Sequence, residues 1–154
     1  MKIIILFLGL LMSNITFGQN HFITISNKTE LNKAKEKAEA EGKILYMIIS
    51  ADWCPACNRL KKNLSELAKE EYFKEEVILG IINYDKFKAS DLVWEIFSES
   101  ASWAAPTNIY FIKGEEYPVI VIGSMNKDNI TTKVSELVSD TKKTQTLKEE
   151  KQLN

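Results

Sequence analysis

Residues 44–50, ILYMIIS, form a continuous apolar run rather than an alternating one. That pattern predicts a strand buried on both faces of a sheet. VILGIIN, 77–83, repeats it and predicts a second buried strand. From Pro55 the period changes to that of a helix, with Cys57, Leu60, Leu64 and Leu67 on one face. Pro55 falls in the first turn, where its missing N–H costs nothing. A helix is also predicted from Asn27 to Glu41, with Asn27 as cap, Glu30 three residues on, and Gly42 as stop. Its apolar stripe of Leu31, Ala34 and Ala38 is thin, which predicts a peripheral position. A further helix is read over 90–99 from Leu92, Val93, Ile96 and Phe97. Short strands are read at 22–25, 107–112 and 117–122, the last two joined by a turn at Lys113-Gly114-Glu115-Glu116. Pro118 predicts an edge strand, and Gly123 a bulge or a close approach. Ile130, Val134, Leu137 and Val138 predict a final helix over 127–139, followed by a loose polar tail, 141–154. The order is β-α-β-α-β-α-β-β-α, an α/β fold. Its early strands pair in parallel through right-handed crossovers, its late hairpin is antiparallel, and helices flank a central mixed sheet.

The N-terminus departs from this plan. Lys2 precedes the apolar run IIILFLGLLM, 3–12, and Thr16 and Gly18 supply a small-x-small site. A basic start, a short apolar segment and such a site predict a signal peptide over 1–18, cleaved after Gly18. The run is short for a bilayer span, and Asn14 interrupts it. The remaining 19–140 form one domain, expected to be periplasmic or secreted, where disulfides persist. No later segment is long and apolar enough to span a membrane. Twenty Lys and Arg against 21 Asp and Glu give a formal net charge of −1. That balance offers no electrostatic reason to expect nucleic acid as a partner.

Both cysteines lie in ADWCPAC, 51–57. Cys54 is placed just past the end of a buried strand and at the start of a helix, where open α/β sheets build their sites. Partial positive charge and free N–H groups at a helix start stabilise a thiolate. Cys54 is therefore expected to be the exposed attacking sulfur. Cys57, one turn further in, is expected to resolve the mixed disulfide. A structural zinc site normally takes four ligands, and the chain offers two cysteines and His21. A structural disulfide would close a very short loop and add little stability. Cu(I) held by two thiolates remains a further reading.

Trp53-Cys54-Pro55-Ala56-Cys57 resembles the W-C-x-x-C site of the thioredoxin superfamily. Ala105-Pro106-Thr107, opening a strand some fifty residues on, resembles its cis-proline loop. Lys113-Gly114-Glu115 and Gly123 resemble its later hairpin and glycine. The resemblance spans about 22–140 and implies a thioredoxin-like fold. ADWCPACNRLKK is most similar to exported members such as the C-terminal domain of the thiol-disulfide interchange protein. The resemblance implies catalysis by Cys54 and Cys57, and a substrate groove formed by Trp53, Pro55, Ala105, Pro106 and Thr107. Ala105 and Thr107 would offer backbone groups to a client chain. It implies no cofactor beyond the Cys54–Cys57 pair, protein thiols and disulfides as substrates, and a membrane-bound electron donor.

The departures are specific. Relatives keep a buried acid where this chain has Ile48, and interchange-type domains an acid where it has Lys61. Deprotonation of Cys57 is then less assisted. That leaves room for a second reading, a binding module on the same fold for Cu(I) or a client protein. Strong oxidants of the superfamily carry a histidine between the cysteines, and Ala56 cannot serve as one. The expected role is therefore on the reducing or isomerising side. Asp52, beside the motif, is read either as tuning it or as a plain exposed loop acid, Trp103 as core packing with the groove lining as the alternative, and Trp94 as core.

Overall fold

The computed structural model describes residues 21–87, Leu92, Ile96 and 104–152. The expected signal peptide, Trp94 and Trp103 lie outside the described residues. So does the expected helix over 90–99, except Leu92 and Ile96, which are helical.

Five strands form one sheet: β1 Phe22–Thr24, β2 Ile44–Ser50, β3 Val77–Asn83, β4 Thr107–Phe111 and β5 Val119–Ile122. Their spatial order is β1-β3-β2-β4-β5. β3 runs parallel to both β1 and β2, while β4 is antiparallel to β2 and to β5. All seven residues of β2 are buried, as its unbroken apolar run requires. Leu45, Met47 and Ile49 point into one core layer, and Ile44, Tyr46 and Ile48 into the other. β5 is an edge strand, as Pro118 predicts, and begins only after it. Gly80 in β3 is fixed by space: a Cβ there would meet Ile25 Cδ1 at 3.0 Å and Met47 Cγ at 3.4 Å.

Helix α1, Lys28–Ala40, covers the first layer. Its thin stripe does not make it peripheral, as the sequence suggests. Leu31, Ala34 and Ala38 are all buried against Met47 and Ile49, because two small alanines let the helix lie close to the sheet. Asn27 caps it, accepting from the Glu30 N–H at 3.0 Å. The Glu30 carboxylate turns back to Ser26, taking its N–H at 2.7 Å and its hydroxyl. Those two bonds, the hydroxyl first, hold the Glu30 carboxyl below its ordinary range. The folded pKa is depressed, so this contact stabilises the fold above the ordinary glutamate value and is lost as pH falls through the folded one.

Helix α2, Pro55–Leu67, buries Cys57, Leu60, Leu64 and Leu67 on the opposite layer. A short helix α3, Glu71–Glu76, follows and buries only Phe73, too little to leave a periodic signal in the sequence. A single turn, α4, spans Tyr84–Phe87. Helix α5, Lys127–Gln152, packs Ile130, Val134, Leu137 and Val138 beside α2. Over residues 141–152 the predicted loose tail is instead the continuation of α5. No Gly or Pro interrupts 127–152. Thr141, Thr144 and Thr146 donate their hydroxyls to the carbonyls four residues back, and Lys142 pairs with Glu76 at 2.8 Å.

Truncation after Asp140 tests what the extension contributes. An exposed, solvent-screened ion pair such as Lys142–Glu76 adds little to stability. The expected outcome is a lower helical circular dichroism signal with a urea midpoint almost unchanged. A large drop in the midpoint would mean that the extension belongs to the core.

Candidate functional site

Parallel register sets β2 and β3 side by side, with Ser50 opposite Asn83, so their C-terminal ends open at the same place. β2 leads through buried Ala51 and the exposed Asp52-Trp53 to Cys54. Cys54 is extended (φ −96°) and serves as the N-cap of α2, with Pro55 in the first turn. Cys54 and Cys57 are joined by a disulfide, their Cα atoms 5.3 Å apart. The Cys57 N–H donates to Cys54 Sγ at 3.1 Å. The sulfur therefore takes the place that a Ser or Asp oxygen takes in an ordinary cap.

Cys54 is not the exposed sulfur that the sequence suggests. It is 3% exposed and Cys57 0%, so the order is as expected but both are covered. The cover is a cluster of small residues, with Ala51, Ala56 and Ala105 packed on the disulfide. Ala105 O lies 3.5 Å from Cys54 Sγ. In the disulfide this is a contact; a reduced Cys54 thiol is within reach to donate to that carbonyl.

The Ala105–Pro106 peptide is cis, as the resemblance implies. Ala105 is half-buried and Pro106 buried, while Pro55 is exposed at the helix start. Thr107 follows them at the start of β4. Its side chain is fully buried, its hydroxyl donates to Ala104 O, and it accepts from the Ala104 N–H at 3.4 Å. Its backbone lies between Ile49 of β2 and Ile122 of β5. Of the two predicted backbone donors to a client, only Ala105 lies outside the ladder. Gly123 (φ +106°) is not kept by a close approach, since nothing lies within 4 Å of where a Cβ would stand. Glycine serves there for its left-handed backbone.

Trp53 is 70% exposed, so it is a surface aromatic rather than core. It is held by a network that the sequence does not announce. Its Nε1–H donates to Asp85 Oδ1 at 3.1 Å, and Asp85 Oδ2 accepts the Asp52 N–H. Asp52 Oδ1 accepts from Asn83 Nδ2 at 2.8 Å, and Asn83 Oδ1 accepts the N–H groups of Asp85 and Lys86. Asn83 and Asp85 went unrecognised in the sequence because they are some thirty residues from the motif. The available signal was their position directly after a buried strand parallel to β2.

Ile48 is fully buried among Leu60, Leu64 and their neighbours, so the position where the sequence resemblance leads one to expect an acid is apolar here. Its cross-strand neighbours are Ile81 and Asn108. Lys61 is half-buried on α2. Asn108 is a buried polar residue that sequence reading passed over. Beside it, Tyr46 and Tyr110 stack with centroids 4.3 Å apart. Burial pushes the Tyr110 hydroxyl up to about 12 and raises that of Tyr46 further. Among the described residues no group of three or more His, Cys, Asp or Glu is placed to hold a metal ion.

No family model and no curated protein matches this sequence. Solved structures do. A mutant of poplar thioredoxin h superposes with a TM-score of 0.60 at 21% identity, covering 77% of this chain and 84% of that one. Fasciola hepatica thioredoxin gives 0.57 at 17% identity, covering 74% and 97%. Chloroplastic thioredoxin z gives 0.58 at 20% identity, covering 77% and 95%. At these identities the likeness establishes the architecture: the chain has the thioredoxin-like α/β fold.

Replacing Asp85 with Ala removes the acceptor for both the Trp53 indole and the Asp52 amide. A net hydrogen bond of about 1 kcal/mol corresponds to roughly a fivefold change in an opening equilibrium. The Trp53 indole proton is expected to exchange with solvent about fivefold faster, by NMR. An unchanged rate would show that the indole is held by something other than Asp85.

Proposed function

We propose that this protein is an exported thiol-disulfide oxidoreductase acting on protein thiols and disulfides through Cys54 and Cys57. The observation that carries the reading is the disulfide at the start of α2, with Cys54 Sγ accepting the Cys57 N–H and lying against Ala105 O. A helix start that already supplies an N–H to the sulfur stabilises the negative charge that develops when the S–S bond breaks.

In the reducing direction the Cys54 thiolate attacks one sulfur of a client disulfide. A mixed disulfide forms, and the client's other sulfur leaves as a thiolate. Cys57, deprotonated, then attacks Cys54 Sγ. The Cys54–Cys57 bond closes, and the client's second sulfur departs and takes up a proton. The client gains two electrons and the protein loses two. A membrane-bound donor that can deliver two electrons reopens the pair. The chemistry needs no organic cofactor or metal.

The covered disulfide bears on the order of events. At 3% exposure, Cys54 meets a client sulfur only when the client settles into the groove beside Ala105 and Pro106. Exposed Trp53 and Pro55 border that entry. Pro55 and Ala56 supply no group that would favour the reduced state as a histidine does, which supports a reductant or isomerase. The buried Ile48 leaves Cys57 without the relatives' acid, which points to slow resolution at neutral pH. The apolar segment 3–12 supports export, and the similarity of ADWCPAC to exported interchange-type domains agrees with it.

The first test is the reduction potential of the pair, measured against defined thiol buffers. A reductant is expected near the thioredoxin value of about −270 mV. A value near about −120 mV would mark an oxidant and overturn the proposed direction. With Cys57→Ala, mixed disulfides with clients should accumulate through Cys54. With Cys54→Ala they should not. Stoichiometric Cu(I) binding without measurable exchange would favour the binding module instead.

A further inference from the structure

We propose that Asn108, which touches neither sulfur, is a positioning residue that holds one wall of the client groove in shape. The inference rests on the thiol-disulfide reading above.

Asn108 is fully buried, and its amide is saturated. Oδ1 accepts from the Tyr46 hydroxyl at 2.7 Å. Nδ2 donates to Val121 O at 2.9 Å and to Gly123 O at 2.8 Å. Both donors therefore go to the end of β5 and the residue after it. Gly123 is gripped from its other side as well, because its N–H donates to Pro106 O at 2.8 Å. A left-handed glycine is the most pliable kind of residue. Here its N–H and its C=O are each tied down, one to the cis-proline loop and one to Asn108.

The tie continues along the chain. Ser124 Oγ donates to Ala56 O at 3.4 Å, and Asn63 Nδ2 donates to Met125 O at 3.1 Å. Residues 122–125 thus form a strap from the cis-proline loop to α2, reaching Ala56 between the two cysteines. Ile122, at the head of the strap, is an apolar side chain left 52% exposed. A client that settles against this wall finds it already ordered. Without Asn108 the client would bear the cost of ordering it, and affinity would fall. Tyr46 is the second member of the device. Its ring is stacked on Tyr110, and its hydroxyl fixes the amide so that its N–H groups face Val121 O and Gly123 O.

The test uses two substrates with one leaving group, the thionitrobenzoate mixed disulfides of a short extended peptide and of β-mercaptoethanol. Each is reduced in a single turnover by the pre-reduced mature protein, whose Cys54 and Cys57 supply the two electrons, with release of the coloured thiol; KM and kcat denote the half-saturating concentration and limiting rate of that turnover. The peptide reaches the wall and the small alkyl group does not. Asn108→Leu keeps the approximate size and removes all three hydrogen bonds. It is expected to raise KM for the peptide about tenfold, with kcat and the rate on the small disulfide unchanged. Tyr46→Phe leaves the rings stacked and serves if the leucine variant does not fold. Its expected KM rise is about threefold, again for the peptide alone. Equal losses on both substrates, or no change in the peptide KM for either folded variant, would overturn the assignment. A wild-type protein that reduces neither substrate would overturn the oxidoreductase reading and this inference with it. A wild-type protein active on both, with unaffected variants, would overturn this inference alone.

Discussion

Every side chain of β2 is enclosed, the odd-numbered under α1 and the even-numbered under α2 and α5. A strand in that position has one tolerable register. A slip by one residue would exchange the two sets and set Tyr46 and its buried hydroxyl among aliphatic side chains with no acceptor. The neighbours inherit the constraint: β3 is locked in parallel with Ser50 opposite Asn83, and β4 in antiparallel with Ile49 opposite Thr107. Three chain segments therefore end or begin at the same pole of the sheet. The cysteine loop, the Asn83–Asp85 turn and the cis-proline loop are neighbours for that reason alone.

Within that pole the site is made of backbone and small side chains rather than of ionisable groups. Cys54 caps a helix with its sulfur, Ala105 covers it with a carbonyl, and Ala51 and Ala56 fill the space around it. Charged residues stand outside this shell. Asp52 and Asp85 act on Trp53 and the loop backbone, and the apolar Ile48 lies in the interior. The chemistry available is that of sulfur steered by peptide dipoles.

The sequence exposed what depends on one local pattern and concealed what depends on meeting in space. β2, β3 and α2 were legible because an unbroken apolar run and a 3.6-residue stripe each have few structural meanings. α3 was not, since one buried phenylalanine makes no period. α1 looked peripheral because small alanines score weakly, yet small side chains are what allow a helix to approach a sheet closely. The cysteine pair was legible, but its burial was not, because the covering Ala105 lies about fifty residues away. The burial of the Thr107 hydroxyl was hidden for a similar reason, because its partner Ala104 is met only in the folded cis-proline loop. Asn108 escaped notice as one polar residue in a strand, where the usual reading is a solvent-facing position. The end of α5 was misjudged because an apolar stripe was required of a helix that continues on local hydrogen bonds.

The run of α5 past the domain has a practical side. Lys142 meets Glu76, immediately before β3 begins, so this part of the helix lies at the pole where β2 and β3 start. The cysteines lie beyond the other end of β2, whose seven residues span roughly 20 Å at the usual strand rise. A dye, resin or surface linkage attached beyond Lys142 would leave the redox pole facing outward. The molecule thus carries its own handle for immobilisation, at the pole away from the Cys54–Cys57 disulfide.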